Sequence, residues 1–203
     1  MAQVTNSRWL LPFGFALLML NDFAFMALSR RPELLYADYG FKLVLLVAIL
    51  LAARRLPPPV VSWRKGNERL AAGLLGALVL LVVQVDPLSE WIDKLLPSWE
   101  LFAWPKNIGP WMKAIDLSLG LALTAFVEEF LFRRLALSVL SGSMAVRVVT
   151  ASLLFGLIHW GGGLGSMIAV FLAGLAFSLV YLRTGSLALV ILAHYLVDLI
   201  LFF

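Results

Sequence analysis

The chain contains no cysteine. Disulfides, thiolate metal ligands and a cysteine nucleophile are therefore excluded together. Charge is scarce as well: Asp, Glu, Lys and Arg make up 14% of the residues, against roughly 25% in an ordinary soluble domain. Repeats with a period of about 20–50 residues are absent, and low-complexity tracts shrink to Pro57-Pro58-Pro59 and Gly161-Gly162-Gly163. What fills the sequence instead is apolar: 62% of the 203 residues are hydrophobic, and the mean hydropathy is +0.96. That balance rules out both a soluble globular domain and a disordered chain. The net charge of +4 and the isoelectric point near 9.7 could suggest a nucleic-acid partner. In a membrane chain basic residues collect in cytoplasmic loops, so the excess is read as topology and no nucleic acid is expected.

A helix needs about 20 apolar residues to cross a bilayer, so a chain of this length holds about six to eight spans. Apolar runs at 9–28, 36–53, 70–85, 114–136, 145–160, 165–182 and 186–203 predict seven. The expected fold is all-α: a polytopic transmembrane helical bundle of about seven spans. It divides into N-terminal transmembrane helices with an interfacial loop, residues 1–113, and a helical core, residues 114–203. The first run follows Arg8 and carries Asn21-Asp22, and Ala27-Leu28-Ser29 is a weak cleavage site. It is read as an uncleaved anchor.

Orientation follows from the loops. Residues 54–69 hold Arg54, Arg55, Arg64, Lys65 and Arg69 against the single acid Glu68, which predicts a cytoplasmic loop. Residues 86–113 mix Asp86, Glu90, Asp93 and Glu100 with Lys94, Lys106 and Lys113, as an outside loop does. Trp91, Trp99, Trp104 and Trp111 suit the headgroup level, so this loop is expected to lie partly in the interface as a short amphipathic helix. Seven spans then place the N-terminus inside, with only Arg30 and Arg31 running against the scheme.

Up to about residue 113 the chain shows little chemistry beyond Asn21 and Asp22. In the second half Glu128, Glu129, Arg133, His159, His194 and Asp198 all sit inside or at the edge of apolar runs. A charge in the hydrocarbon costs about 2.5–3.5 kcal/mol on insertion scales, so each needs a partner or a wet cavity. Glu129 and Arg133 share a helix face and are expected to form an ion pair. Glu128 points about 100° away and stays available to a cavity. His194 and Asp198 share a face of the last span. At 1.5 Å per residue, Glu128 lies about 9 Å from Arg134, His159 about 18 Å from Arg147, and His194 about 16 Å from Arg183. One pocket between the inner surface and the midplane could collect them.

A carboxylate and an imidazole converging on water make a general base able to attack a carbonyl. A second imidazole with a neighbouring side chain could stabilise the oxyanion. Alternatively, Glu128, His159 and His194 could hold Zn²⁺ with an open position for water. No serine with a nearby base stands out, so water is the expected attacker. Spacing alone leaves metal-dependent and metal-free hydrolysis both open.

Glu128-Glu129-Phe130-Leu131-Phe132-Arg133 resembles the EExxxR motif of the CAAX-protease and bacteriocin-processing family (CPBP, or Abi) of intramembrane proteases. Phe155-Gly156-Leu157-Ile158-His159 is similar to its FxxxH motif, and His194-Tyr195-Leu196-Val197-Asp198 to its HxxxN/D motif. The resemblance covers roughly residues 112–203, with the motifs on the last four spans. It implies a glutamic-type endopeptidase in a prokaryotic cytoplasmic membrane, acting on membrane-bound protein or peptide substrates among the lipids. By that analogy Glu128 activates water with His159, His194 and residue 198 stabilise the oxyanion, and Glu129 and Arg133 support them. No cofactor is implied by the favoured mechanism. Position 198 is Asp where Asn is common, and an ionised Asp has no proton to donate. It must stay protonated, orient His194 or favour a metal.

Two other classes compete: a non-catalytic immunity or scaffold protein of the same fold, and a small transporter, because ionisable residues also mark ion pathways. Gly161–Gly163 and Gly165 are read as a flexible turn beside the pocket. Ala169, Ala173, Gly174, Ala176 and Ser178 make the sixth span small-sided, as close helix packing requires.

Overall fold

Each apolar run is bounded by residues that start or stop a helix. The computed structural model describes residues 8–62, 68–99, 101 and 108–203, and every regular element among them is helical. The helices are α1 (Leu10–Ala27), α2 (Glu33–Ala52), α3 (Glu68–Val82), α4 (Val85–Asp93), α5 (Pro110–Ile115), α6 (Leu121–Glu129), α7 (Ala136–Val139), α8 (Met144–Leu157), α9 (Gly163–Thr184) and α10 (Leu187–Phe202). Pro110 opens α5, where its missing N–H costs nothing. Ser143 and Ser186 cap α8 and α10 by accepting from Val146 N and Leu189 N. Gly185, with φ +69°, closes α9 in the left-handed conformation that glycine adopts freely. The π-helical segments Asp116–Gly120 and Phe130–Leu135 join α5, α6 and α7 into one rod.

All seven predicted runs are helical, and the chain is an integral membrane protein. Leu10–Ala27, Glu33–Ala52, Arg69–Asp93 and Trp160–Thr184 are long and apolar enough to cross a membrane; Met144–Leu157 and Leu187–Phe202 are shorter apolar helices. Large apolar side chains cover the outer faces, with Leu51 79% and Leu80 72% exposed, a surface suited to lipid. The third rod runs past residue 85, where the apolar signal fades, because α4 docks on the start of α9. Gly165 N donates to Asp93 Oδ1 at 3.1 Å, and Trp99 Nε1 donates to Trp160 O at 2.8 Å. The glycine turn is thus packed under this segment: a Cβ on Gly163 would come within 2.8 Å of Trp99 O. Arg64, Lys65, Glu100, Trp104 and Lys106, used above for topology, lie outside the described residues.

Helical spacing sets what faces inward. The buried stripe of α1 runs Leu10, Gly14, Leu18, Asn21, Asp22 and Phe25; that of α2 runs Leu35, Asp38, Lys42, Leu45 and Ile49. Apolar residues of both stripes share one buried core with Leu131, Phe132 and Leu135 of the central rod. Helices α8 and α9 meet through small residues, as the sequence suggested: Gly174 faces Phe155 and Ser152, and Gly156 lies against the backbone of Met167. A Cβ at Gly156 would sit 2.6 Å from Met167 O, a contact no side-chain movement relieves. Gly156→Ala should therefore destabilise the protein by about 1–3 kcal/mol and lower Tm by several degrees in detergent. Gly76→Ala, with nothing within 4 Å, is the control and should not lower it. An unchanged Tm for Gly156→Ala would contradict the close packing of α8 on α9.

Candidate active site

The centre of the molecule is a chain of buried charges. Glu128 and Glu129 end α6, and Arg133 follows in a π-helical turn, a distortion frequent at functional sites. Arg133 is fully buried, and its guanidinium lies 4.3 Å from the Phe155 ring and 5.4 Å from that of Phe177. Its Nε is 3.0 Å from Glu129 Oε2, the ion pair expected from their spacing. Glu129 Oε1 accepts from His194 Nδ1 at 2.9 Å. The His194 ring stacks on Phe177 with centroids 5.4 Å apart and an interplanar angle of 24°. Its Nε2 faces Asp198 Oδ2 at 3.4 Å and Glu128 Oε2 at 3.9 Å.

The two glutamates are thereby separated in role. Glu129 has one oxygen on Arg133 and the other on His194, so its charge is spent on Arg133 and on tying α6 to α10. Glu128 Oε2 has no hydrogen-bond partner among the described residues. His159 follows the last turn of α8, and its Nδ1 lies 3.0 Å from Phe155 O, one of the carbonyls the helix end leaves unpaired. A carbonyl only accepts, so Nδ1 carries the proton and the neutral ring presents Nε2 as an acceptor.

A cavity of about 420 Å³ collects these groups: Glu128, His159, His194 and Asp198 all line it. Glu129 and Arg133 do not; they stand behind its wall. Comparison with protein families matches residues 110–200 to the family described as Type II CAAX prenyl endopeptidase Rce1-like. Residues 110–200 are thus similar to that family, and the stretch contains Glu128 through Asp198. Neither the curated proteins nor the solved structures give a match.

The matched stretch does not build the cavity alone. Asn21 and Asp22 of α1 also line it, as do Asp38 and Lys42 of α2; the last two correct the expectation that the first half carries little chemistry beyond Asn21 and Asp22. Lys42 Nζ donates to Asp38 Oδ2 and to Thr124 Oγ1, each at 2.7 Å. Asn21 Nδ2 donates to Asp38 Oδ1 at 2.7 Å, so one network ties α1 and α2 to α6. The signal was present: a lysine four residues after an aspartate inside an apolar run is an intrahelical ion pair. Opposite charges cancel in any net count, which is why the run reads as plain span.

Among the described residues no group of three His, Asp or Glu side chains is arranged to hold a metal ion. Glu129 occupies His194 Nδ1 and Phe155 O occupies His159 Nδ1, so Nε2 is the ring nitrogen that each leaves open.

Removing Arg133 would leave Glu129 buried without its cation. Arg133→Met is expected to cost about 3–5 kcal/mol, the usual penalty for breaking a buried pair. Glu128→Gln, which removes a charge that has no close cation but His194, should shift Tm far less. Thermal unfolding of both variants in detergent checks the order, and equal shifts would contradict it.

Proposed function

We propose that the chain is an intramembrane endopeptidase that hydrolyses peptide bonds of membrane-associated proteins or peptides with water activated by Glu128 and His159. One observation supports this reading above the others: the carboxylate whose Oε2 has no hydrogen-bond partner among the described residues and the imidazole presenting a free acceptor nitrogen line the same cavity. Water held by the two attacks the carbonyl carbon and gives its proton to Glu128. The carbonyl pair moves onto oxygen, forming a tetrahedral oxyanion. Collapse breaks the C–N bond as Glu128 returns the proton to the leaving amine. A carboxylate withdrawn from bulk water is a better base than an exposed one, and the burial of Glu128 supplies that setting.

His194 supplies positive charge beside the developing oxyanion. Asp198, an acceptor when ionised, orients that ring, while Glu129 and Arg133 are positioning residues. In this reading no metal takes part. A transporter would place comparable groups in inverted halves, and a scaffold would not need a buried glutamate with an oxygen left out of any hydrogen bond. The orientation that fits the basic loop has the N-terminus and residues 54–69 inside, in a prokaryotic cytoplasmic membrane.

Glu128→Gln should lower hydrolysis of the native substrate by roughly 10²–10⁴-fold while Tm holds. Glu129→Gln should lower Tm as well as activity, and chelators should leave the wild type active. Near-normal turnover by Glu128→Gln would overturn its assignment as base, and normal turnover by both would overturn the protease reading. Loss of activity with a chelator, restored by Zn²⁺, would overturn the metal-free mechanism.

Topology is tested separately, since the chain has no native cysteine. Cysteines introduced at Val60 and Leu95 should be labelled from the inside and the outside respectively. Labelling of position 60 from outside would reverse the orientation.

A further inference from the structure

We infer that Lys42, on α2 and outside the matched residues 110–200, is a further catalytic residue: its ammonium donates to the oxyanion formed in the cavity. This rests on the hydrolytic reading above. Beside the His194 ring the oxyanion needs a further proton donor, because the hydrogen-bonding groups around Glu128 already face other partners. His194 Nδ1 donates to Glu129, and its Nε2 faces the oxygens of Asp198 and Glu128. His159 Nδ1 is on Phe155 O. The Thr124 hydroxyl donates to Gly120 O at 3.0 Å. An ionised Asp198 has nothing to give.

Lys42 is the one lysine or arginine lining this cavity among the described residues. It is 7% exposed. An ammonium carries three protons, and Lys42 Nζ lies 2.7 Å from both Asp38 oxygens and from Thr124 Oγ1. Donation to the oxyanion replaces one of the two contacts with Asp38, and the other contact keeps the ammonium in place. Thr124 precedes Glu128 by four residues on the same helix, so the ammonium is anchored about 6 Å along α6 from the base. Water on Glu128 and a carbonyl about 3 Å beyond it fill that gap. Charge-assisted bonds are about twice as strong as neutral ones, which sets Lys42 apart from the neutral Asn21 and Ser166 on the same wall. In the reaction Lys42 keeps its proton: the oxyanion gains a hydrogen bond as the carbonyl pair moves onto it, and loses it when the C–N bond breaks.

A purely structural role, tying α2 to α6, would use the same two hydrogen bonds, so the test must read the transition state. Two variants separate charge from folding. Lys42→Gln keeps a donor for Asp38, and Asp38→Asn with Lys42→Met leaves no buried orphan charge. Each is assayed on a fluorogenic peptide the wild type cleaves and on the phosphonate analogue of that peptide, whose tetrahedral anion mimics the oxyanion. The inference expects kcat to fall roughly 10²–10³-fold, the scale of one lost oxyanion donor, with KM little changed. Phosphonate affinity should fall by a matching factor. Wild-type kcat in either folded variant, or a kcat loss with phosphonate affinity unchanged, would overturn it. If Glu128→Gln is inactive while these variants are normal, only the assignment of Lys42 fails; if Glu128→Gln is itself active, the hydrolytic reading fails first.

Discussion

The C-terminal half is arranged around one fully buried guanidinium, that of Arg133. An arginine inside the hydrocarbon is tolerated only when its charge is answered locally. Here the answer is threefold: the Glu129 carboxylate at 3.0 Å and the faces of Phe155 and Phe177. Those partners come from α6, α8 and α9, so satisfying one side chain fixes three helices. Glu129 then reaches His194 on α10, and the fourth is fixed too. Two glutamates adjacent in sequence thereby become unlike groups. One is consumed by the scaffold, while the other is left at the cavity wall with an oxygen to spare.

The N-terminal helices solve a similar problem in a similar way. Lys42 and Asp38 neutralise each other within α2, Asn21 holds Asp38 from α1, and Thr124 receives Lys42 on α6. The two networks share no hydrogen bond, yet both end on α6, at Thr124 and at Glu128–Glu129. Short π-helical segments bracket that helix on both sides. The cavity lies between the networks and takes lining residues from each.

Much of this was legible in the sequence because bilayer physics is simple. Apolar runs near span length located all seven helical rods, and four-residue spacing found the pairs Glu129–Arg133 and His194–Asp198. What escaped were features set by tertiary contact. The bond from His194 to Glu129 joins residues 65 positions apart, and no local spacing announces it. Docking of α4 depends on glycines at Gly163 and Gly165 that offer no side chain to the approaching segment. The π-helical turns break the 3.6-residue period that any helical reading assumes. Lys42 and Asp38 were hidden differently, as a pair whose charges cancel within an apolar run.

The central claim is that water, and no side chain, attacks the substrate while Glu128 holds the proton. The most direct measurement is a single turnover in water enriched in heavy oxygen, with enzyme in excess over substrate, followed by mass analysis of product and protein. The account predicts one heavy oxygen in the new carboxylate of the product and none in Glu128. Heavy oxygen in the Glu128 carboxylate, or a covalent acyl-enzyme trapped during the turnover, would contradict it.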